Sequence, residues 1–353
     1  MTARKFGYIM NKGFNNCHKL LGYIEMTEKK IISKWVGDIN KPTVSICCIT
    51  YNHELYIKEA LDSFLMQETN FIFEILIDDD ASSDQTKNII KDYKERYPKI
   101  IKPLSRKNNV GSMTNFIENI KRAKGKYIAL CEGDDYWTDP RKLQVQINEM
   151  QKYPKVGLSF HLSSEVDGLG NIVSPKLQNG NRIYSFREII TGDFHLVQTN
   201  TIVFKKEKLD NLNYKLFSQS PVGDVWIRAC SSMPNGALFI NKVMGCYRVL
   251  SAGSWSASMN NDERFIGYAE RMIKSINDFD KYWDYKYHKI FFIYKNKFIN
   301  IVIKRNISFE LKLEFINKHK KMMSLKNWLQ WRIIYSYPRM ESFLKECKRI
   351  ARC

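Results

Sequence analysis

Tyr127-Ile-Ala-Leu-Cys131-Glu132-Gly133-Asp134-Asp135-Tyr136-Trp137-Thr138-Asp139-Pro140 is the stretch on which the reading of this chain turns. Its first five residues form a short apolar run, read as a buried strand. Three carboxylates follow within four positions. Gly133 lets the backbone bend among them, and Pro140 suits the first turn of a following helix. Adjacent negative charges in a partly buried site raise each other's pKa. A divalent cation relieves that repulsion, and Mg²⁺ in particular is shared with phosphate oxygens. Taken alone, the triplet reads as a solvated acidic turn; the residues around it decide between the two.

Upstream, from Pro42, the apolar pattern alternates between strand and helix, the mark of an α/β domain. Residues 43–50 are a continuous β-rich run, expected as a buried parallel strand. Leu55, Ile57, Leu61, Phe64 and Leu65 have helix spacing across 54–67. A second strand, 71–77, runs into Asp78-Asp79-Asp80-Ala-Ser-Ser-Asp84, where Ser82 or Ser83 is expected to cap a helix reaching Tyr97. Residues 100–104 make a third strand, Asn108-Asn109-Val-Gly111 a turn and 112–123 a helix. The polar strand ends are Thr50-Tyr51-Asn52, Asp79-Asp80, Asn109 to Gly111 and Glu132-Asp134-Asp135. Open α/β sheets build their ligand sites at such carboxyl ends.

Downstream, Pro221-Val222-Gly223-Asp224-Val225-Trp226 opens a helix with periodic apolar residues, so Asp224 also reads as a helix N-cap. Residues 237–240 and 243–249 read as paired strands ending in Tyr247-Arg248-Val-Leu-Ser-Ala-Gly-Ser-Trp255. Helical patterns follow from 262, over 282–305, 308–323 and 328–352. The resulting division is a basic N-terminal arm (1–42, helical over 19–32), a catalytic domain (43–260) and a basic helical extension (261–353). Within the domain, 43–140 is the nucleotide-binding half and 141–260 the acceptor half.

The net charge of +19 on 353 residues sits at the ends. Residues 1–42 hold eight Lys/Arg and three Asp/Glu, residues 281–353 eighteen and five, leaving a nearly neutral body. A nucleic-acid enzyme would more often carry its basic residues around the cleft. Basic, aromatic-rich ends fit an anionic membrane surface, so no nucleic-acid partner is expected. None of the eight cysteines forms a CxxC pair, and Cys47, Cys48 and Cys131 lie in apolar runs. They read as reduced, buried thiols of a cytoplasmic protein without a zinc site. Residues 290–303, the longest apolar run, are broken by Lys295, Asn296 and Lys297, short of a spanning helix. There is no GxxxxGK[ST] loop, and Gly168-Leu-Gly170 lacks the third glycine of a dinucleotide fingerprint. Phosphates would have to be held through a cation.

Three of these stretches, 44–52, 77–86 and 131–137, in that order and spacing, resemble the family 2 glycosyltransferases. The resemblance covers residues 43–260 and implies a GT-A fold (Rossmann-like, α/β) that inverts the configuration of the transferred sugar. It implies that Thr50 and Tyr51 flank the nucleotide base and that Asp79 or Asp80 accepts a hydrogen bond from it, most simply from N3–H of uracil. Asn109 joins this donor-binding set. Glu132, Gly133 and Asp134 stand where the family has its DXD motif. Asp134 is then the main ligand of Mn²⁺ or Mg²⁺, with Asp135 and Glu132 as a second ligand or ribose contacts. Asp224 corresponds to the base that deprotonates the acceptor. Arg248 and Trp255 correspond to a loop closing over the donor, with Arg248 on the diphosphate. Leu250 stands where relatives often carry His.

The expected donor is a nucleotide sugar, UDP-linked. The expected acceptor is a lipid-linked or growing bacterial surface glycan, at the inner face of the plasma membrane. A sugar nucleotidyltransferase would share the acidic site but needs a glycine-rich basic loop where Thr50-Tyr-Asn-His-Glu54 stands. A non-catalytic basic membrane- or nucleic-acid-binding protein would rest on the +19 alone, and the neutral central body argues against it.

Overall fold

The computed structural model describes residues 9–10, 26–192, 196–210, 212–249 and 259–336. The chain divides into two compact units, Thr2–Ser258 and Met259–Cys353. In chain order the first runs β1 (Ile9–Met10), α1 (Glu28–Ile32), β2 (Val44–Thr50), α2 (Ile57–Leu65), β3 (Phe73–Asp79), α3 (Thr86–Arg96), β4 (Ile101–Ser105), α4 (Ser112–Arg122) and β5 (Tyr127–Leu130). It continues with β6 (Tyr136–Trp137), α5 (Lys142–Lys152), β7 (Leu158–Val166), β8 (Ile172–Ser174), β9 (Arg182–Tyr184), α6 (Phe186–Thr191), β10 (Val203–Lys205), α7 (Tyr214–Ser218), α8 (Asp224–Ser232) and β11 (Ala237–Arg248).

The strands form one mixed sheet in the order β1-β8-β7-β10-β5-β2-β3-β4, with β11 alongside β7. The β-rich runs read from the sequence are its parallel set. β2 pairs with β3 from Val44↔Phe73 to Thr50↔Asp79, and with β5 from Val44↔Tyr127 to Cys47↔Leu130. Strands covered on both faces have no solvent side, which is why Ile46, Ile75, Ile77 and Ala129 are all fully buried. Each such isoleucine contributes about 1.5–3 kcal/mol by leaving water. Helix α4 is tied to this sheet by buried amides: Asn115 donates to the Asp78 carbonyl (2.9 Å), and Asn119 to those of Cys48 and Leu76 (3.3 and 3.2 Å). Cys47, Cys48, Cys131, Cys230 and Cys246 are free and buried, and burial pushes their thiols up.

Three expectations change in this unit. The strands read at 237–240 and 243–249 do not pair with each other. They are one 12-residue strand, β11, parallel to β7 from Ala237↔Leu158 to Arg248↔Val166, with register shifts between Ile240 and Gly245. A bulge absorbs the polar Asn241-Lys242 break without ending the strand. The segment around α1 is not an appended arm: Ile31 lies in the domain core, and the Trp35 ring sits 5.0 Å from Phe73. Residues 19–25 of the predicted arm helix lie outside the described residues. Neither Ser82 nor Ser83 caps α3; Asp84 instead accepts from Thr86 N–H at 3.0 Å.

The second unit comprises α9 (Asp262–Tyr282), α10 (His288–Lys304), α11 (Phe309–His319) and α12 (Leu325–Ser336), around buried Phe279, Phe291 and Phe298. The helix expected from 282 starts later, because Asp284 and Tyr285 adopt left-handed φ values of 47° and 56°. Of the helix read at 328–352, the part beyond Ser336 lies outside the described residues. Among the described residues no helix is long and apolar enough to cross a membrane.

Candidate active site

Strand β5 delivers the acidic stretch to the carboxyl edge of the sheet. Gly133 N–H bonds to the Ile49 carbonyl of β2 (3.0 Å), and Asp135 N–H closes a turn on the Glu132 carbonyl (3.1 Å). Close approach, not bending, requires glycine here: a Cβ at 133 would stand 2.7 Å from Thr50 Oγ1 and 3.0 Å from His53 Nδ1. Cys131, Gly133 and Asp135 are buried, while Glu132 and Asp134 between them are partly exposed. Immediately beyond, β6 pairs antiparallel with β11 through Gly245↔Trp137 and Cys246↔Tyr136. Trp137 is buried and donates to the Asn200 carbonyl at 2.8 Å, which makes it a packing residue. Pro140 precedes the first residue of α5 by two positions instead of entering its first turn.

Electrostatics show which side chains converge. Part of Glu132 reaches solvent, yet its carboxyl is packed round by protein. That burial, with the negative charges of Asp134 and Asp224, pushes it up to about 8. Helix α8 thus carries Asp224 into the field of the acidic turn. Asp224 is not the N-cap, which is Gly223; it is the first residue of α8, and its Oδ2 accepts from Arg228 Nη2 at 2.9 Å. Tyr247 faces the same group: burial raises its phenol, and Asp135, Glu132, Asp134 and Asp224 raise it further. His53 is lowered by burial, against the pull of Asp134.

Asp135 differs from its neighbours. It is buried, and its Oδ1 accepts Arg248 N–H at 2.8 Å while its Oδ2 has no partner. Burial, then Asp134 and Glu132, raise its carboxyl well above the usual range. Asp134 is thus the partly exposed carboxylate beside the enclosed Glu132, and the orphaned Asp135 Oδ2 is a further free oxygen. Among the described residues no three His, Cys, Asp or Glu side chains form a ready cage for a metal ion. Clustered carboxylates, two of them raised by burial and by their neighbours' charge, fit a divalent cation whose remaining ligands are phosphate oxygens. They do not fit a protein-only metal centre.

The end of β3 sorts its four aspartates. Side chains alternate along a strand, so Asp78 and Asp79 face opposite ways. Asp78 is buried against Arg122, with Arg106 at 3.9 Å. Asp79 Oδ1 accepts from Ser82, and its Oδ2 is buried without a partner. Asp80 spends both oxygens on the backbone, accepting Val110 N–H (2.8 Å) and Gly111 N–H (2.9 Å). Asn109 braces the same turn, donating to the Asp80 carbonyl and accepting Gly111 N–H. Asp84 accepts from Glu54 N–H and Thr86 N–H, both at 3.0 Å. Asn52 and Ala81 hold left-handed φ values of 56° and 63°. Across this clasp Asn52 N–H reaches Ser82 Oγ (2.8 Å) and Ser83 N–H reaches Asn52 Oδ1 (2.9 Å). A polar cavity of about 490 Å³ opens beside it, lined by Asp79, Ser82, Lys87, Ser105, Arg106 and Lys107 among others. Thr50 is buried with its hydroxyl unpartnered, and Tyr51 presents a 46% exposed ring at the rim.

Arg248 has partners within the protein. Its guanidinium donates to the Asp134 carbonyl and pairs with Glu59 of α2, lying 4.7 and 4.9 Å from the Tyr56 and Tyr136 ring centres. A fork held by those partners braces the acidic turn. Leu250 and Trp255 lie outside the described residues. Tyr247, Arg228 and Glu59 join the site although sequence patterns do not single them out. The spacing of Asp224 and Arg228 by one helical turn is the one signal that could have found a member of this group.

Parallel strands with an open polar cavity and clustered acids at their carboxyl edge are the layout of a nucleotide-binding α/β domain. Comparison with known proteins agrees. The glycosyl transferase family 2 model matches residues 45–213, so this part of the chain is a family 2 glycosyltransferase domain, with the GT-A fold. An uncharacterized protein of Mycobacterium tuberculosis is 34% identical over 225 residues, 63% of each chain. The match thus spans less than two thirds of that relative's length. Among solved structures, residues 1–349 of S. aureus TarS in complex with UDP align with a TM-score of 0.54 at 17% identity, covering 79% of this chain and 80% of that one. The mannosyltransferase PcManGT of Pyrobaculum calidifontis, in complex with GDP-Man and Mn²⁺, aligns at 0.52 and 14%, covering 87% and 85%.

Proposed function

We propose that this chain is an inverting glycosyltransferase that moves a sugar from a nucleotide sugar, UDP-linked, to a hydroxyl of a lipid-linked or growing bacterial surface glycan. One observation carries the reading: Asp224, at the start of α8, is near enough for its charge to act on Glu132 as that of Asp134 does, which sets the proposed base beside the proposed cation site. Tyr51 would stack on the base, with Thr50 beside it, and the unpartnered Oδ2 of Asp79 would accept N3–H of uracil. Asp80 and Asn109 would act on the donor indirectly, by fixing the turn at 109–111. Asp134 would be the main ligand of Mn²⁺ or Mg²⁺, with Glu132 or the orphaned Oδ2 of Asp135 as the second. When bound, that ion neutralises charge on the departing diphosphate.

Asp224 takes the proton of the acceptor hydroxyl as its oxygen attacks the anomeric carbon. The bond from that carbon to the diphosphate oxygen breaks on the opposite face, which inverts the configuration. Arg228 holds one oxygen of Asp224 and leaves the other for the proton. Arg248 braces the backbone of Asp134 from behind. The acceptor would put the enzyme in the cytoplasm at the inner face of the membrane, with no nucleic acid involved.

The test is a panel of nucleotide sugars with Mn²⁺ or Mg²⁺, following release of the nucleoside diphosphate. One donor should be hydrolysed, and Asp134→Asn and Asp224→Asn should each abolish transfer. Asp224→Asn should retain UDP binding; loss of UDP affinity in that variant would assign Asp224 a structural role. Hydrolysis of no donor at all would sink the reading.

A further inference from the structure

We propose that the outer face of α12 docks the protein onto an anionic bilayer. The inner face of this helix is fully used. Asn327 is buried and donates to the Asn296 carbonyl at 2.8 Å, and buried Trp331 stacks on Phe309 at 5.8 Å. On the outer face Leu325, Trp328, Leu329 and Ile333 are 72%, 43%, 48% and 64% exposed. Their spacing of i, i+3, i+4 and i+8 puts them on one stripe. An ordinary surface helix would carry polar residues there.

The rim of this stripe is cationic. Lys320, Lys321, Lys326 and Arg332 are exposed, and the Arg332 guanidinium lies 5.2 Å from the Trp328 ring centre. Residues 318–332 carry five Lys/Arg and no Asp/Glu. A tryptophan among aliphatic residues, with cations able to extend from its edge, matches the boundary between acyl chains and headgroups.

Charge selects among occupants. A second copy would bring the same basic rim against itself. Residues 337–353 hold five Lys/Arg and two Asp/Glu, again the same sign. A nucleic acid would satisfy the cations but leave four aliphatic and aromatic side chains in water. Anionic lipid satisfies both sets. The inference rests on the proposed function only in that a lipid-linked acceptor gives docking a purpose.

The full chain should sediment at low salt with phosphatidylcholine vesicles carrying about one-third phosphatidylserine, and far less with phosphatidylcholine alone. Each cation near the surface strengthens binding about fivefold, so Lys320→Glu with Lys321→Glu should weaken it by about 100-fold or more. Trp328→Ala should weaken it about tenfold at any lipid charge that still gives binding. All variants should release diphosphate from the donor at the wild-type rate in solution, so failure of docking is separable from failure of the enzymatic reading. The proposal is overturned if wild type stays in the supernatant, if binding survives all three substitutions, or if Trp328→Ala dissolves a dimer seen by sedimentation velocity.

Discussion

Replacing Gly133 by alanine tests how tightly the acidic turn is set against β2. The backbone at 133 lies outside the left-handed region, so alanine meets no torsional objection and even gains about 0.4–1 kcal/mol from a less flexible unfolded chain. The new methyl carbon would stand 2.7 Å from Thr50 Oγ1, 2.9 Å from Thr50 Cβ and 3.0 Å from His53 Nδ1. Ordinary contacts lie near 3.5 Å or beyond, so the turn must retreat by about 0.5–1 Å. Overpacking of this kind costs about 1–3 kcal/mol, which lowers Tm by about 2–10 °C for a domain of this size. The chemistry should suffer more, since displacing a catalytic group by about 1 Å costs up to roughly 100-fold. Calorimetry and a donor-hydrolysis assay read the two effects. Gly168→Ala, where a Cβ would meet nothing within 4 Å, is the neutral control. If Gly133→Ala matches that control in Tm and turnover, the turn has slack and the close-approach reasoning is wrong.

Glu132 gives a pH signature. Its folded pKa of about 8 lies above the usual 4.5, so the fold binds the extra proton between those values and stability falls as pH rises through that window. The slope reaches at most about 1.4 kcal/mol per pH unit, less for partial exposure, and urea titrations at pH 5 and 8 should show it vanish in Glu132→Gln and shrink with Mn²⁺. Lys142 has the opposite sign: burial holds its amine near 7, below the usual 10.5, so the unfolded chain binds more protons between these values and stability rises with pH there. Its ammonium lacks a hydrogen-bond partner and sits 3.8 Å from the Trp137 ring centre, so Lys142→Met should stabilise the protein by about 1–4 kcal/mol at pH 6; a loss of stability would give the amine a structural role. Arg248→Lys should cost about 1–3 kcal/mol in urea unfolding, because a single ammonium cannot serve the Asp134 carbonyl and Glu59 together. A change within about 0.5 kcal/mol would remove its bracing role.

Parallel strands and their helices are legible because burial on both faces leaves an unbroken apolar run, as in residues 44–50 and 73–77. The acidic turn and the family follow from order and spacing along the chain. What stays hidden depends on contacts between distant segments. Asn241-Lys242 reads as the end of a strand, because nothing local shows that β7 supplies partners on both sides of the break. Arg248 reads as a phosphate ligand because its affinity for anions is visible in the sequence, whereas Glu59, the anion it meets, lies 189 positions away. Asp80 and Asn109 read as ligand groups because polar residues at strand ends can serve a donor or a turn, and only the backbone N–H groups of 110 and 111 distinguish the two.

The back-to-back placement of Asp78 and Asp79 makes β3 intolerant of a counting error. A slip of one residue against β2 would turn Asp79 toward Arg122 and deliver Asp78 to the cleft, exchanging two carboxylates of identical chemistry. Charge alone would barely notice the exchange. Glu74 would, since the slip would turn its carboxylate away from the Ser45 hydroxyl (2.7 Å) and the Lys124 N–H (3.0 Å) toward the face that Ile75 and Ile77 fill. Three consecutive aspartates are therefore safe to encode because Glu74, with its own fixed partners before them, acts as the ruler. An apolar replacement at Glu74 would blur which of Asp78 and Asp79 meets Arg122 without touching the acidic turn.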